Sequence, residues 1–413
     1  MKREGFKLLR LTRIKVLFIW ILIVLGLYGI FGNWINKEIQ RLFSKELLKP
    51  PKTPETQETI HLIAVSCGRP DHNGVRDLSK PMDQTITMLK SAAMFARSAL
   101  HMHIFTEEDM MTLFSNEIAS WPDRILLKVK YTVYALDYDK YIKKSLAEEW
   151  KRWYKPCGSY RLFTPLILKE TTSAAIYADS DVVFIKPINE LWAYLKEMKS
   201  HEVVAISPTA GHPLGGSKDN EYFISHPTGL FQINSGIMVM NFTRMLNTKW
   251  FLYRDIQDDH AEPLNYGSEL LMKYYNRFKD VAEHDQKLLN IMFHYNPAII
   301  KQLPCSWNFK NNFCRDESNI CHDAELKGGA GAVHGIESSF FGTGNPTFRA
   351  LYETFLRYNF ESDWNEKILE TFLRQLKATA TGTFCETKAS IIIEPLRKTL
   401  KDAEAFYEGL NIN

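Results

Sequence analysis

Residues 175–190 read Ala-Ile-Tyr-Ala-Asp-Ser-Asp-Val-Val-Phe-Ile-Lys-Pro-Ile-Asn-Glu, and the rest of the chain is organised around them. The apolar run from Ala174 to Ala178 predicts a buried strand that ends just before Asp179 and Asp181. Two carboxylates at a strand end offer hard oxygen ligands, which suit Mg²⁺ or Mn²⁺. The same pattern occurs in ordinary turns and helix caps, so these residues alone leave both interpretations open.

The composition indicates a globular α/β protein. The chain has 413 residues, 45% apolar and 13% aromatic, which is enough for one large domain with extensions or for two domains. Strand and helix patterns alternate from His61 onwards, which favours a mostly parallel sheet flanked by helices. The Gly-x-Gly-x-x-Gly and Gly-Lys-Ser/Thr phosphate loops are absent from the sequence, so a nucleotide would bind by another route.

The hydrophobic periodicity also predicts individual elements. Predicted strands cover residues 62–68, 101–105, 125–133, 176–178, 203–206, 237–240 and 332–335. Predicted helices cover residues 81–100, 107–118, 141–153, 159–170, 191–198, 285–294, 346–358, 364–378 and 391–410, with Asp285 as an N-cap. Residues 208–229 are expected to form a loop long enough to close over a ligand, and residues 234–236 a turn.

The N-terminus carries a predicted membrane anchor. Residues 16–32 are mostly apolar and uncharged, and residues 1–15 hold six Lys or Arg against Glu4. This favours a signal anchor with a cytosolic tail over a cleaved signal peptide, because no small-x-small cleavage site follows. Residues 33–60 then form a polar stem. Without the six cations and Glu4, the 51 basic and 48 acidic residues become 45 and 47, so no nucleic-acid surface is indicated.

The six cysteines are compatible with disulfides in a chain that faces the secretory lumen. Cys305, Cys314 and Cys321 lie in a stretch rich in Pro, Asn, Asp and Gly that a bridge could staple, and their connectivity stays open. Their spacing lacks a Cys-x-x-Cys pair, which disfavours zinc. Cys67 follows an apolar strand and is expected to be a buried thiol. Asn241, in an Asn-Phe-Thr sequon, is a candidate glycosylation site.

Seven ordered stretches together resemble the family 8 retaining glycosyltransferases and, within them, the animal glucoside xylosyltransferases. The stretches are 63–68, Lys155-Pro156-Cys157 with Arg161-Leu162-Phe163, Asp179-Ser180-Asp181, 234–241, 285–290, Pro304-Cys305-Ser306-Trp307-Asn308, and Val333-His334-Gly335 with 346–350. The resemblance spans residues 61–360 and implies a GT-A domain there, with 361–413 as a helical C-terminal extension. It also implies UDP-xylose as the donor and Mn²⁺ as the cofactor, with Mg²⁺ as an alternative.

The resemblance implies a set of donor-site residues. The metal ligands would be Asp179, Asp181 and His334, although a lone histidine is more often an ordinary core or surface residue. The implied donor-binding residues are Val65 and Ser66 beside the uracil, Arg161, Asn234, Ser235 and Gly335. The residues themselves leave alternatives open. Val65 and Ser66 could simply pack in the core, Arg161 could be a solvated helix residue, and Asn234 and Ser235 could cap a turn.

Asp285 and Gln286 would form the catalytic face. Retention needs either a nucleophile behind the sugar or a reaction on one face, in which the leaving phosphate guides the acceptor hydroxyl. A neutral amide oxygen is a weak nucleophile, so Gln286 is expected to stabilise an oxocarbenium-like transition state, and Asp285 to contact donor hydroxyls. Without the resemblance, both would be interpreted as cap and packing residues of a helix.

Two departures from the family pattern stand out. Members commonly place a lysine after the late histidine, where it meets the diphosphate, but residues 336–345 contain no basic residue. Lys155, Lys310 and Arg349 are candidates to replace it, and the effect of the loss stays open. Lys287 stands where relatives often carry an acidic residue.

The resemblance implies a type II membrane protein of the Golgi or endoplasmic reticulum with a lumenal catalytic domain. The expected activity is α-1,3 transfer of xylose, with retention, to O-linked glucose on EGF-like repeats of secreted or cell-surface proteins of the Notch type. The alternatives are a related transferase with another UDP-sugar or acceptor, and a catalytically weakened lumenal binding protein. The sequence does not determine the oligomeric state.

Overall fold

A computed structural model of the chain describes most residues from Glu58 onwards. The described residues are 58–70, 74–142, 147–151, 157–209, 222–226, 229–252, 262–315, 321, 328–360, 363–379 and 382–410. One compact unit comprises Thr59–Asn413, and Met1–Glu58 is a separate unit. The predicted tail, anchor and nearly all of the stem lie outside the described residues. Within the described ranges, no helix is long and apolar enough to cross a membrane.

The strands are short and spread over the whole described chain. They are β1 (Ile60–Ser66), β2 (Arg69–Pro70), β3 (Arg76–Asp77), β4 (Leu100–Thr106), β5 (Val129–Ala135), β6 (Ala174–Ala178), β7 (Val182–Phe184), β8 (Val204–Pro208), β9 (Ile224–His226), β10 (Gly229–Phe231), β11 (Ile233–Asn241), β12 (Lys249–Trp250), β13 (Leu264–Asn265), β14 (Ile300–Gln302) and β15 (Ala332–His334).

Helices separate most of these strands. The α-helices are α1 (Ser79–Phe95), α2 (Glu108–Ala119), α3 (Asp123–Leu126), α4 (Thr164–Leu168), α5 (Ile188–Trp192), α6 (Tyr194–Glu197), α7 (Phe242–Asn247), α8 (Ser268–Phe278), α9 (Asp285–Tyr295), α10 (Pro346–Arg357), α11 (Thr371–Thr379), α12 (Phe384–Thr387) and α13 (Ser390–Leu410). Single-turn 3₁₀ segments lie at Tyr138–Lys140, Gly158–Leu162, Pro297–Ile299, Cys305–Asn308, Asn311–Arg315 and Ile336–Ser338, and a π-helical segment at Asn365–Glu370.

A seven-stranded sheet forms the centre of the fold. Its strand order is β14-β8-β11-β6-β1-β4-β5. Strand β11 pairs antiparallel with both of its neighbours, and the remaining pairs are parallel. This confirms the predicted α/β class with a mostly parallel sheet. Because the carboxyl ends of parallel strands meet at one edge, residues that follow β1 and β6 are brought together there.

Both faces of the sheet are covered, which explains the unbroken apolar runs of its inner strands. Successive residues of β1 point to opposite faces. Leu62 and Ala64 join a core that includes residues of α1, α10 and α13, whereas Ile63 and Val65 join a core that includes residues of α8 and α9. A shift of one residue in the pairing of β1 would exchange these two sets, so the hydrophobic pattern fixes the register.

Several predicted elements have different boundaries or types in the structure. The predicted strand at 125–133 begins instead as α3 and continues as β5, because Pro122 and Asp123 start a helical turn. The predicted helix at 159–170 is a 3₁₀ segment followed by α4, since Pro165 favours the first turn of a new helix. The predicted helix at 141–153 and the loop at 208–229 lie partly outside the described residues, and the loop contains β9 and the first residue of β10.

Two local predictions near the later functional site are wrong. Residues 234–236 are not a turn, because β11 runs through them with a register shift between Asn234 and Met238. Such an irregularity lets one strand continue while its side chains are re-aimed. The N-cap of α9 is His284 rather than Asp285, and its Nδ1 accepts a hydrogen bond from the Lys287 backbone N–H. Asp285 therefore occupies the first turn, where the helix dipole favours a carboxylate.

Three disulfides tie the described part of the chain together. Cys305 pairs with Cys321, which confirms a staple within the predicted cysteine cluster, and Cys314 pairs with Cys385. Cys67 pairs with Cys157, so the prediction of a buried free thiol is wrong. That bridge spans 90 residues, and no local spacing in the sequence indicates it.

The Cys314–Cys385 bridge joins the 3₁₀ segment Asn311–Arg315 to α12, and we expect it to stabilise the attachment of the C-terminal helices. Replacing both cysteines with serine should lower the free energy of unfolding by about 2–4 kcal/mol, because the unfolded chain regains loop entropy. Denaturant unfolding of the full chain measures the change. An unfolding free energy equal to that of the wild type would contradict a stabilising bridge.

Candidate active site

Two carboxylates and an imidazole meet beside the carboxyl end of β6. Asp179 follows β6, Asp181 precedes β7, and His334 ends β15, which pairs antiparallel with β7 so that His334 lies opposite Val182. The His334 Nε2 atom lies 3.2 Å from Asp181 Oδ1 and 3.7 Å from Asp179 Oδ2. One ligand atom from each residue lies within 4.8 Å of the others. Two carboxylate oxygens and an imidazole nitrogen fit a divalent ion such as Mn²⁺ or Mg²⁺.

Hydrogen bonds fix which nitrogen of His334 faces the carboxylates. The Gly236 backbone N–H donates to Asn234 Oδ1 over 3.1 Å, and the same oxygen accepts from Asn308 Nδ2 over 2.8 Å. Asn308 therefore presents its Oδ1 to His334 Nδ1, 2.9 Å away, and this amide oxygen can only accept. Nδ1 must carry a proton, so Nε2 is the nitrogen that can offer a lone pair to a metal.

Gly236 allows this histidine to reach its position. A Cβ atom on Gly236 would lie 2.1 Å from His334 Cε1 and 2.6 Å from Nδ1, distances that no side-chain atom can occupy. The Gly236 carbonyl also accepts the Asp179 backbone N–H over 2.8 Å. The glycine therefore holds one candidate metal-binding residue, Asp179, through its backbone and leaves room for the imidazole.

Arg161 links the metal-binding side of the site to the candidate catalytic side. Its Nη1 lies 3.1 Å from Asp179 Oδ1 and donates to the Ser235 carbonyl over 2.9 Å, and its Nε lies 2.7 Å from Asp285 Oδ2. The guanidinium also lies 4.8 Å from the centre of the Tyr177 ring. Burial lowers the pKa of Arg161, but the carboxylates of Asp179 and Asp285 outweigh that effect and the net shift is upward. The side chain therefore stays cationic inside the protein.

Tyr177 completes the shell around Asp179. Its hydroxyl donates to Asp179 Oδ1 over 2.6 Å, and burial raises its pKa well above the ordinary value, so the phenol keeps its proton. Asp179 Oδ1 is thus held by Tyr177 and Arg161, while Oδ2 is turned toward His334. The three nearby carboxylates of Asp179, Asp181 and Asp285 exceed the single guanidinium, and this excess of negative charge favours a cation.

Asp285 and Gln286 lie in the first turn of α9 beside Ser235. Asp285 is 5% exposed, and its Oδ2 contacts Arg161 without accepting a hydrogen bond, because the Arg161 Nε–H is donated to the Gly158 carbonyl. The ion pair with Arg161 therefore compensates the charge of this buried oxygen. Gln286 Oε1 accepts from the backbone N–H and the hydroxyl of Ser235, at 3.0 and 3.2 Å. Its carboxamide is therefore oriented.

The remaining residues predicted to bind the donor nucleotide lie at the same edge of the sheet. In the structure they pack in the core or form hydrogen bonds within the protein. Val65 and Ser66 end β1, and both are buried. The Ser66 hydroxyl donates to the Pro81 carbonyl over 3.3 Å and accepts from Thr85 over 2.9 Å, so it faces α1. The Gly335 backbone N–H donates to the Asp181 carbonyl over 2.7 Å. Their contact with a donor nucleotide stays a prediction.

Two of the basic residues considered as substitutes for the missing lysine are already engaged, and the third, Lys155, lies outside the described residues. Lys310 is fully buried, donates to Thr209 Oγ1 over 3.2 Å and lies over the Phe313 ring. Arg349 forms an ion pair with Glu353 at 2.7 Å on α10. Neither contact involves the metal-binding residues.

Four residues of the site had no role assigned from the sequence: Gly158, Tyr177, Gly236 and Asn308. Tyr177 could have been found, because it lies two residues before Asp179 on a strand and therefore shares its face. Asn308 carries no local signal, since its function depends on His334 and Asn234, which are 26 and 74 residues away. Gly236 and Gly158 matter through close approaches that only the assembled fold creates.

A mostly parallel sheet with a carboxylate and imidazole cluster at its carboxyl edge has the α/β architecture expected of a GT-A glycosyltransferase. Among known proteins, glucoside xylosyltransferase 1 of Gallus gallus is 35% identical over 352 residues, which is 84% of this chain and 75% of that protein. Glucoside xylosyltransferase 2 of Mus musculus is 32% identical over 348 residues, 83% of this chain and 72% of that protein. The chain belongs to the glucoside xylosyltransferase family, as the sequence motifs predicted.

Two further comparisons add little to this assignment. The crystal structure of mouse xyloside xylosyltransferase 1 superposes with a TM-score of 0.45 at 16% identity, covering 68% of this chain and 99% of that one. A likeness at that level carries no argument by itself. No protein-family model matches the chain.

Gly236→Ala should displace the His334 imidazole, because the new methyl group would overlap it. We expect the affinity for Mn²⁺ to fall about 10- to 100-fold, as for other changes that misplace a ligand. Isothermal titration of the full chain with Mn²⁺ measures this. Gly267→Ala is the matched control, because its Cβ would meet nothing within 4 Å. Equal Mn²⁺ affinity in the two variants would argue against His334 as a ligand.

Proposed function

We propose that this chain is a retaining glycosyltransferase that transfers xylose from UDP-xylose, in α-1,3 linkage, to O-linked glucose on EGF-like repeats of secreted or cell-surface proteins. The observation that supports it most is the contiguous network of Asp181, His334, Asp179, Arg161 and Asp285, in which a candidate metal site adjoins a candidate sugar site. Relatives that share a third of the sequence are named as glucoside xylosyltransferases.

Mn²⁺ is the proposed cofactor, with Mg²⁺ as an alternative. Asp179 Oδ2, Asp181 Oδ1 and His334 Nε2 would hold it, because these atoms are turned toward one another. When bound, such an ion neutralises the diphosphate and stabilises the charge that develops on the leaving group. Since residues 336–345 supply no lysine, the ion would bear more of that charge here than in relatives that have one.

The protein residues then act on the sugar. Of the two routes to retention, we favour the one on a single face, in which the bond from the xylose C1 to the phosphate oxygen breaks while the acceptor oxygen bonds to C1 on the same face. The acceptor proton passes to the departing phosphate. Asp285 would accept a hydrogen bond from a xylose hydroxyl through the carboxylate oxygen that does not contact Arg161, and so orient the ring. Gln286 Oε1 is occupied by Ser235, which disfavours it as a nucleophile and suits it to electrostatic stabilisation of the developing cation.

A cavity of about 240 Å³ beside Gln286 is the proposed acceptor site. Its walls include Gln286, Lys287, Glu283, Thr209 and Tyr222. A mixture of charged, hydroxyl and aromatic side chains suits a sugar, because rings stack on sugar faces and polar groups bind hydroxyls. Gln286 lines this cavity and also accepts a hydrogen bond from Ser235, so it would contact both the donor and the acceptor.

The proposed location is the lumen of the Golgi or endoplasmic reticulum, with a single-pass type II anchor at residues 16–32. The three disulfides support it, because such bridges persist in oxidising compartments.

Asn241 caps α7 by accepting the Arg244 backbone N–H over 2.9 Å, and its glycosylation stays a prediction.

Incubation of the full chain with Mn²⁺, an O-glucosylated EGF-like repeat and a panel of UDP-sugars tests the donor. We expect UDP-xylose to be preferred and Asp181→Asn to lower transfer by roughly two to three orders of magnitude, because metal stabilisation is worth several kcal/mol. Asp280→Asn, at an exposed position, is the control and should keep full activity. Preference for another sugar would overturn the xylose assignment, and acceptor binding without any transfer would favour a binding protein.

Lys287→Ala tests the acceptor site. Loss of a charged hydrogen-bond donor from the cavity should raise the KM for the O-glucosylated acceptor about tenfold and leave the KM for UDP-xylose unchanged. Lys273→Ala, which removes an exposed lysine paired with Glu269 on α8, is the matched control. Steady-state kinetics distinguish the two effects. An increase confined to the KM for UDP-xylose would place the acceptor elsewhere.

A further inference from the structure

Three histidines cluster on one face of the central sheet, away from the site described above. His61 lies on β1, and His101 and His103 on β4. The parallel register places His61 beside His101 and Ile63 beside His103, so alternation along the strands turns all three imidazoles to the same face. One nitrogen from each ring lies within 4.8 Å of the other two.

Strand β5 holds two of these rings by their outer nitrogens. His101 Nε2 lies 2.9 Å from Thr132 Oγ1, and His103 Nδ1 lies 3.0 Å from the Tyr134 hydroxyl. If these nitrogens donate to the hydroxyls, His101 Nδ1 and His103 Nε2 carry the lone pairs, and His103 Nε2 accepts from His61 Nδ1 over 2.9 Å in the metal-free protein. When a metal binds, the His61 ring would carry its proton on Nε2 instead, so that Nδ1 becomes the ligand atom. Anchoring of the outer nitrogen of a ring is how proteins orient metal-binding histidines.

The charge state of the cluster suits ligation. Burial lowers the pKa of His101 to about 4 and of His103 to about 3, and burial also lowers that of His61. All three imidazoles are therefore neutral near pH 7, which is the form that binds metals. The exposed Lys130, on the same face of β5, opposes a cation, although solvent screens its charge.

The dimensions are close to those of a zinc site. Nitrogens about 2.0–2.1 Å from a tetrahedral Zn²⁺ are roughly 3.3 Å apart, which is near the 2.9 Å between His61 Nδ1 and His103 Nε2. The other separations are at most 4.8 Å, so the rings would have to move closer around the ion, and the half-buried side chain of His61 leaves the cluster accessible to solvent. A fourth position would remain for water.

We propose that His61, His101 and His103 form a second metal site that binds Zn²⁺, separate from the donor site. His61 is the second residue of β1, whereas Ser66 ends it, and this length of strand is on the order of 16 Å at 3.3 Å per residue. The ion would join β1 to β4 near their amino ends, so its role is structural and independent of sugar transfer.

Zn²⁺ titration of the purified full chain tests the proposal. We expect Asp181→Asn to retain a Zn²⁺ equivalent that the double variant Asp181→Asn with His61→Ala loses. Co²⁺ should report the same difference by the visible absorption of an imidazole-rich site, and Zn²⁺ should raise the melting temperature of Asp181→Asn but not of the double variant. His201→Ala in the Asp181→Asn background controls for the loss of any exposed histidine.

Two further measurements separate the site from the fold and from catalysis. His61→Ala alone should keep Mn²⁺-dependent xylose transfer. Thr132→Val, which removes only the hydroxyl that holds His101, should weaken Zn²⁺ binding about 10- to 100-fold. This second variant tests the Zn²⁺ site even if the His61→Ala protein folds poorly. Equal Zn²⁺ stoichiometry with and without His61, or unchanged Zn²⁺ affinity in Thr132→Val, would overturn the proposal.

Discussion

The buried guanidinium of Arg161 is the interaction on which the site depends. It contacts Asp179 on the candidate metal-binding side, Asp285 on the candidate catalytic side, and Ser235 between them. Removal of one partner from a buried ion pair costs about 3–5 kcal/mol, because the other charge is left without compensation. The cation therefore allows two acidic groups to lie together at low exposure, and it leaves one oxygen of each directed elsewhere.

The position of Arg161 is constrained by the chain around it. The 3₁₀ segment Gly158–Leu162 follows Cys157, which is bonded to Cys67 just after β1. This bridge fixes the arginine segment to the same sheet edge that carries Asp179 after β6. Gly158 contributes the carbonyl that accepts the Arg161 Nε–H, and a Cβ atom there would lie 3.1 Å from Asp285 Oδ1. A disulfide, a short helix and a glycine together position one side chain.

Much of the fold and part of the site follow from local patterns. The alternation of strands and helices, the ordered motifs and the strand that ends at Asp179 all follow from residues close in sequence. The errors have physical reasons of the same kind. Pro122 and Pro165 lie at the start of helical turns inside elements predicted to be continuous. His284 caps α9, because that helix begins at Asp285, the residue predicted to be the cap. The asparagines of the site act through partners that periodicity does not reveal.

The sequence by itself determined the α/β class, the family and the candidate residues Asp179, Asp181, His334, Asp285 and Gln286. Only the tertiary structure decided which atoms of these residues meet, that Cys67 bonds Cys157, and that three histidines gather on β1 and β4. The reason is that helix and strand patterns repeat every few residues, whereas these contacts depend on strand order and register. Residues separated by 90 positions, such as the two bonded cysteines, become neighbours only when the whole fold assembles.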